Sequence, residues 1–408
     1  MIFIEAFLSP FWCFIKGLIN YRKPNSKYYI LVFILFYAFS MTFPIGETNM
    51  DIFRRIESFN LYASQPNISI IDVFNKSYSD DSDNSNADIF EALLLFLVTR
   101  FTDNIKIMFV VWAFCFGLLF VNNIWYLIEK NNLKINKINL IWVIALFLII
   151  PFWNINAFRF WTAAHLFIFG LLRFFYTKKK SYLFFSFFSA IIHFSFIIPN
   201  FLLIFFFILP KNLIVANFLF LFTSITSNFN IQKLNQLFIF LPSGISGKTN
   251  DYTSDYYLTR VNEFKLLDTN FYISLRYKLV LVAFELLFLF IYFNYKNFLK
   301  VKLNTDLFFL TFILLSFSNL VFSIPPLDRF FNLGAFFMFI IGVNFANFLL
   351  INKLNLFKFK YISSLLILYL LVEIRIGFDT ISIVSIIGNP VTQYFVSNDN
   401  FSLIDIFK

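Results

Sequence analysis

INLIWVIALFLIIPFWNINAFRFWTAAHLFIFGLLRFFYTKKK, residues 138–180, is the stretch that decides the fold. Its first third is almost wholly aliphatic and aromatic. Pro151 then stops the run, because proline lacks an N–H and pushes the residue before it out of the helical region. After a turn containing Asn154, Asn156 and Trp153, a second apolar stretch covers 157–176 and ends in Lys178, Lys179 and Lys180. A helix needs about 20 apolar residues to cross the hydrocarbon core of a bilayer. The segment therefore reads as two membrane helices joined by a proline turn, with a basic patch where the second one ends.

The rest of the chain has the same character. Of its 408 residues, 59% are hydrophobic and 23% aromatic, only 14% are charged, and the mean hydropathy is +0.75. A soluble domain carries about 25% charged residues. With 67 Phe, the apolar runs are too long and too many for one soluble core. Lipid is the solvent that accepts such a composition, and helices are the structure that satisfies the backbone within it. The expected class is all-α: a single polytopic integral membrane domain over 1–408. The abundance of Phe, Ile, Asn and Lys, whose codons are rich in A and T, suggests a bacterial genome.

Windows of apolar residues give about eleven spans, or 11–12 if the N-terminal segment also crosses. They are 28–45, 105–128, 138–152, 157–176, 181–193, 195–209, 213–227, 278–295, 306–324, 330–350 and 361–372. The pair around His193 is short and reads as two spans or as one broken, re-entrant element. Residues 88–101 carry Glu91 and Arg100 and read as a short helix dipping into one leaflet. The first 19 residues have no basic start, so they read as an extra span or an interfacial helix broken near Pro10, not as a cleavable signal.

The loops fix the orientation. Lysine-rich turns at 21–27, 129–137, 178–180, 211, 296–302 and 353–360 all fall on one side when counted through these spans. By the positive-inside rule that side is the cytoplasm. This accounts for the net charge of +10 without nucleic acid, which is not an expected partner. Cys13 and Cys115 sit in apolar stretches with no metal-ligand or disulfide spacing. No phosphate loop, dinucleotide fingerprint or nucleophile elbow is present, so a cytosolic nucleotide-using activity lacks its machinery.

The opposite side receives a first outer loop (46–88), the turn at 151–159, a large outer loop (228–276), the turn at 325–329 and the C-terminal tail. Its cations include Arg54, Arg55, Arg159, Arg260, Arg276 and Arg329, whereas the cytoplasmic loops use almost entirely lysine. A guanidinium grips phosphate bidentately, whereas a topogenic charge can equally be lysine. Arginines on the outer side also run against the insertion bias, which points to a site for an anionic substrate. In the first loop, Glu47 and Asp51 are four apart and share a helical face with Arg54 or Arg55 in reach; the alternative is an amphipathic helix lying on the membrane. The acidic run 80–88 lacks the glycine of a calcium loop and reads as solvated. Asp251, Asp255, Tyr256, Tyr257 and Arg260 make a tyrosine-rich surface of the kind that stacks on sugars or lies in the interface.

Arg159 opens the helix after Pro151, where a charge is costly unless paired or used. Of the two histidines, His165 lies inside that helix and reads as a packing residue. His193, at the bend of the short pair, is a candidate general base or substrate contact. Asp328 and Arg329 follow two prolines at the head of another helix, where Asp328 can cap and Arg329 can join the site.

Several of these segments resemble the polymerases of bacterial surface polysaccharide, the Wzy and EpsG-like family. NAFRFWTAA (156–164) is similar to their Asn-x-x-Arg-x-x-x-Ala helix start, and AIIHFS (190–195), after the lysine-rich turn, to their Phe-His-x-Ser signature. GETNMD (46–51) resembles their first-loop Gly-x-Asp segment, and Arg329 the arginine that opens a late helix. Phe160 departs from the pattern, where Gln is more typical. The resemblance covers roughly residues 28–388 and implies a glycosyltransferase of the cell envelope. Its reaction moves a growing glycan from undecaprenyl pyrophosphate onto another lipid-linked repeat unit, at the outer face of the inner (cytoplasmic) membrane. Arg54, Arg55, Arg159, Arg260, Arg276 and Arg329 would bind the pyrophosphate, and His193 or Asp51 would take the acceptor proton, with Arg159 stabilising developing charge. No metal or other cofactor is implied. The partners implied are the undecaprenyl-pyrophosphate-linked glycan, the bilayer and, optionally, a chain-length regulator. The alternatives are a lipid-linked oligosaccharide flippase or transporter, and another lipid-phosphate-dependent glycosyltransferase or ligase.

Overall fold

The computed structural model describes residues 2–42, 51–65, 67–73, 89–131, 137–225, 271–298, 304–322, 327, 329–352, 357–395 and 402–406. These are almost entirely helical, with no strand among the described residues and one isolated bridge between Ser382 and Ser402. The helices, in chain order, are α1 (Ile2–Leu8), α2 (Pro10–Ile19), α3 (Ser26–Ser40), α4 (Asp51–Ala63), α5 (Ile89–Thr99) and α6 (Ile105–Lys130). Next come α7 (Lys137–Leu148), α8 (Phe158–Thr177), α9 (Leu183–Ile192), α10 (Ile197–Ile208) and α11 (Leu213–Ile225). The chain continues with α12 (Phe271–Phe293), α13 (Asn304–Val321), α14 (Arg329–Ile351), α15 (Phe357–Gly377), α16 (Ile383–Ile387) and α17 (Pro390–Phe395).

Within the described residues, every expected apolar stretch falls on a helix. Among the described residues, three stretches are long and apolar enough to cross a membrane: Ile105–Lys130, Ile138–Thr177 and Arg329–Ile351. The second is not one rod. It breaks at Leu148 ahead of Pro151, turns through a 3-10 segment (Phe152–Ala157), and restarts as α8. The other apolar helices are shorter. At 10 and 12 residues, α9 and α10 rise only about 15 and 18 Å, so the element around His193 is a broken pair. Phe184, Phe188, Phe201, Phe205, Phe218 and Phe222 stay exposed on α9–α11. An apolar surface of that extent suits lipid and not water.

Some boundaries differ from the hydropathy reading for local reasons. Helix α3 ends at Ser40, whose hydroxyl turns back onto the Phe36 carbonyl (2.9 Å) and meets Ser385 Oγ (2.7 Å). Helix α12 starts at Phe271, so Arg276 lies inside a helix and not at the end of a loop. Helix α15 runs on to Gly377 and takes in Glu373 and Arg375, beyond the expected end at 372.

Helix α14 is the pillar, with 83% of its apolar window buried. A helix that is hydrophobic all round lies in a protein core or in lipid; α14 is of the first kind and packs on α13, α7 and α12. Small residues set the closest approaches: a Cβ on Gly334 would meet Leu315 and one on Gly342 would meet the Trp142 ring. Gly170 does the same between α8 and α9, where a Cβ would lie 2.6 Å from the Tyr182 carbonyl.

Polar contacts between helix ends fall into two groups. At a lysine end, Lys178 (3.1 Å) and Lys211 (2.5 Å) both pair with Asp306, and the Tyr176 hydroxyl donates to Asn131 (2.7 Å). At an arginine end, Arg55 and Arg159 meet Glu91, Arg276 meets Glu373, and the Tyr37 hydroxyl donates to Thr380 (2.9 Å). Helices α6 and α8 run side by side between them: Trp112 and Phe158 stack near their first turns, and Asn131 and Tyr176 meet near their last.

Candidate functional site at the arginine end

Arg159 is the second residue of α8. A cation at a helix N-terminus opposes the positive end of the helix dipole, so it needs a compensating anion. Glu91 supplies it: Oε2 lies 2.9 Å from Arg159 Nε, while Oε1 lies 3.5 Å from Arg55 Nε. Glu91 is itself in the first turn of α5, where the helix dipole favours a carboxylate. One carboxylate thus joins α4, α5 and α8. The Glu91 and Arg55 side chains are 5% and 8% exposed, Arg159's 20%. The trio carries one net positive charge.

Aromatic rings floor the trio. The Arg55 guanidinium lies over Phe158 (5.1 Å) and Trp112 (5.7 Å), which stack at 4.5 Å. Tyr62, about two α4 turns beyond Arg55, has its hydroxyl pushed above the ordinary range, mainly by burial and further by the Glu91 charge. Arg54, the neighbouring residue, is exposed.

Phe160 carries the site toward the bend. Its ring is 5.4 Å from His193, 5.2 Å from Phe196 and 5.4 Å from Phe330, and Arg329 sits over it at 5.7 Å. Thus α8, α14 and the α9–α10 bend converge on one ring. His193 stands between the two short helices with an extended backbone (φ −145°, ψ 116°). Its Nδ1 accepts from the Ser195 backbone N–H (3.3 Å) and is 2.8 Å from Ser195 Oγ.

Arg276 lies at the same end but in a separate cluster. It bonds Glu373 at 3.1 Å and its guanidinium lies over Tyr277 (4.5 Å). Arg375 pairs with Asp379 (2.9 Å) beside Tyr272. Trp153, in the turn before α8, fits against Gly377 and so ties this cluster to the turn that leads to Arg159.

Of the residues singled out from the sequence, Arg55 and Arg159 come together on Glu91, and Arg329 and His193 on Phe160. Asp51 opens α4, four positions before Arg55. Arg260, Glu47, Asp328, Asp251, Asp255, Tyr256, Tyr257 and the acidic run 80–88 lie outside the described residues. His165 is fully buried among Phe116, Phe120 and Phe336, with its carbonyl bonded by Asn123 (2.8 Å). The sequence reading noted Glu91 only as a mark against a full span and did not see it as the hub. The signal was there: a carboxylate inside an apolar helix calls for a partner. Glu373 was missed for a different reason, since the apolar window stopped one residue short of it.

Among the described residues, no three His, Cys, Asp or Glu side chains gather as metal ligands do. What the arrangement offers is guanidinium groups, an imidazole and aromatic faces, a set suited to an anion joined to a sugar or a lipid. Compared with known protein families, curated proteins and solved structures, the chain matches none.

Proposed function

We propose that this chain polymerises undecaprenyl-pyrophosphate-linked oligosaccharide repeat units into O-antigen, capsular or exopolysaccharide, at the outer face of the bacterial cytoplasmic membrane. One observation carries the reading: Arg55, Arg159, Arg329 and His193 gather around the first turn of α8, at the end opposite the Lys178–Asp306–Lys211 cluster. The lysine end is cytoplasmic by the positive-inside rule, so the arginine end faces outward, where lipid-linked repeats are joined.

In the reaction, a hydroxyl of the acceptor repeat attacks the anomeric carbon of the donor glycan. The bond from that carbon to the pyrophosphate oxygen breaks, undecaprenyl pyrophosphate leaves, and the hydroxyl proton passes to a base. Negative charge grows on the leaving oxygen, and donors already aimed at that point stabilise it without reorganising. Arg159 and Arg329 supply such donors, Arg55 adds charge from beneath, and Glu91 keeps Arg159 from folding back onto the helix. Phe160, Phe158 and Trp112 provide apolar faces for the first isoprene units or a sugar ring.

A flippase for the same lipid-linked units is the second reading, because the broken α9–α10 pair resembles the discontinuous helices that transporters use. Removing the gene from its host and restoring it separates the two on a gel of surface polysaccharide. Loss of the ladder with a single-repeat species retained supports polymerisation. Loss of every surface repeat, with lipid-linked units trapped inside, supports the flippase, and an unchanged ladder overturns both.

A further inference from the structure

Helix α8 carries a second arginine near its lysine end. Arg173 lies one turn before the last residue of α8, a position from which a long cationic side chain ordinarily reaches out to the nearer interface. Arg173 turns inward instead. Its Nη1 donates to the Phe169 carbonyl, four residues back, and to Asn123 Oδ1 on α6, both at 3.2 Å. The guanidinium lies 3.3 Å from the centre of the Phe169 ring and 4.6 Å from that of Tyr126, so aromatic faces hold it between α6 and α8. At the opposite end, Arg55, Arg159 and Arg276 each meet a carboxylate. Arg173 meets none among the described residues. The lysine-side stretches 132–136, 299–303 and 353–356 contain no Asp or Glu that could answer it. A charge set inside a membrane helix is costly unless it is paired or used.

We infer that Arg173 and Lys130 bind the phosphate of an anionic phospholipid headgroup in the leaflet at the lysine end. Only Nη1 of Arg173 is engaged; Nε and Nη2 make no hydrogen bond among the described residues, and neither is closed off by protein. Two such N–H groups form the fork that takes two oxygens of one phosphate. Lys130 lies over the same Tyr126 ring (5.7 Å), one turn nearer the end of α6, and adds a second cation with no carboxylate partner among the described residues. Two cations on one ring favour a headgroup with net negative charge over a zwitterionic one. The surroundings favour a lipid over free phosphate. Phe169 packs against Phe185 of α9 (5.2 Å), and Phe185 stays exposed with Phe184 and Phe188, an apolar face along which acyl chains can lie. This site is at the end opposite Arg159, and it does not depend on the polymerase reading.

The test uses the full chain in maltoside micelles titrated with dansyl-labelled phosphatidylglycerol, with binding read as energy transfer from the protein's 6 Trp. The inference expects saturable binding that unlabelled phosphatidylglycerol displaces and that the same concentration of phosphatidylcholine or inorganic phosphate does not. Arg173→Gln should weaken it by about tenfold or more, since a bidentate charged contact is lost. Lys130→Gln, at an exposed position where folding is not at stake, should weaken it about fivefold, the equivalent of roughly 1 kcal/mol per cation near the surface. Lys178→Gln, at a side chain 60% exposed and paired with Asp306, should change it less than about twofold. No saturable binding by the wild-type chain overturns the inference, as does binding that Lys130→Gln and a folded Arg173→Gln leave unchanged. A Lys178→Gln loss as large as that of Arg173→Gln also overturns it, because the lipid would then be held by a diffuse basic surface. Equal displacement by inorganic phosphate would assign the site to a free anion and overturn the lipid.

Discussion

Replacing Glu91 with Gln keeps the shape of the side chain and removes its charge. Two guanidiniums then face a neutral amide in a place where little water reaches. With Glu91 5% and Arg55 8% exposed, breaking the pair takes the carboxylate charge away from a buried guanidinium, a change that costs about 3–5 kcal/mol. Arg159, 20% exposed, can turn toward solvent and adds less. The control is Asp306→Asn at the lysine end. That carboxylate also holds two cations, but its partners Lys178 and Lys211 are 60% and 47% exposed, so its loss costs under about 1 kcal/mol. The assay is equilibrium denaturation of the full chain in mixed micelles, followed by circular dichroism. A third variant, Glu91→Leu with Arg55→Met, replaces the buried pair by apolar groups and recovers most of the loss, as buried ion pairs do when both partners are removed. Equal losses for Glu91→Gln and Asp306→Asn, or a loss under about 1 kcal/mol for Glu91→Gln, would refute the reasoning.

Gly170→Ala should lower stability by about 1–3 kcal/mol, because the added methyl meets backbone atoms of α9 that cannot swing aside; this outweighs the roughly 1 kcal/mol of helix propensity that alanine gains. A more stable variant in the same titration would show that α8 and α9 are not packed this closely. Glu373→Gln strands Arg276 between α12 and α15 and should cost about 3–5 kcal/mol. Arg375→Ala, at a half-exposed pair four residues apart, should cost about 0.3–0.5 kcal/mol; reversing that order would place the two clusters wrongly with respect to solvent.

The helices were legible in the sequence because a long apolar run has few other structures open to it. Pro151 marked the turn before Arg159, and AIIHFS marked the break before α10. Partners were less legible, because they lie far apart in the chain: Arg55, Glu91 and Arg159 come from three elements. Nothing in local pattern says which carboxylate answers which arginine. Arg276 shows the same limit, since a loop arginine and a helical one look alike until Glu373 is found opposite. His193 stood out in the sequence as a candidate, but the hydrogen bond it accepts from the Ser195 N–H exists only once the bend has formed.

As proposed above, arginines at the end opposite the lysine cluster drive glycan transfer from undecaprenyl pyrophosphate. The most direct measurement reconstitutes the purified full chain in proteoliposomes with undecaprenyl-pyrophosphate-linked repeat units and no nucleotide, then follows chain length on a gel. The expected result is a ladder from the wild-type chain, lost when Arg159→Ala or Arg329→Ala is introduced into a chain that still folds. No ladder from the wild type, or a ladder unchanged by both substitutions, would contradict it.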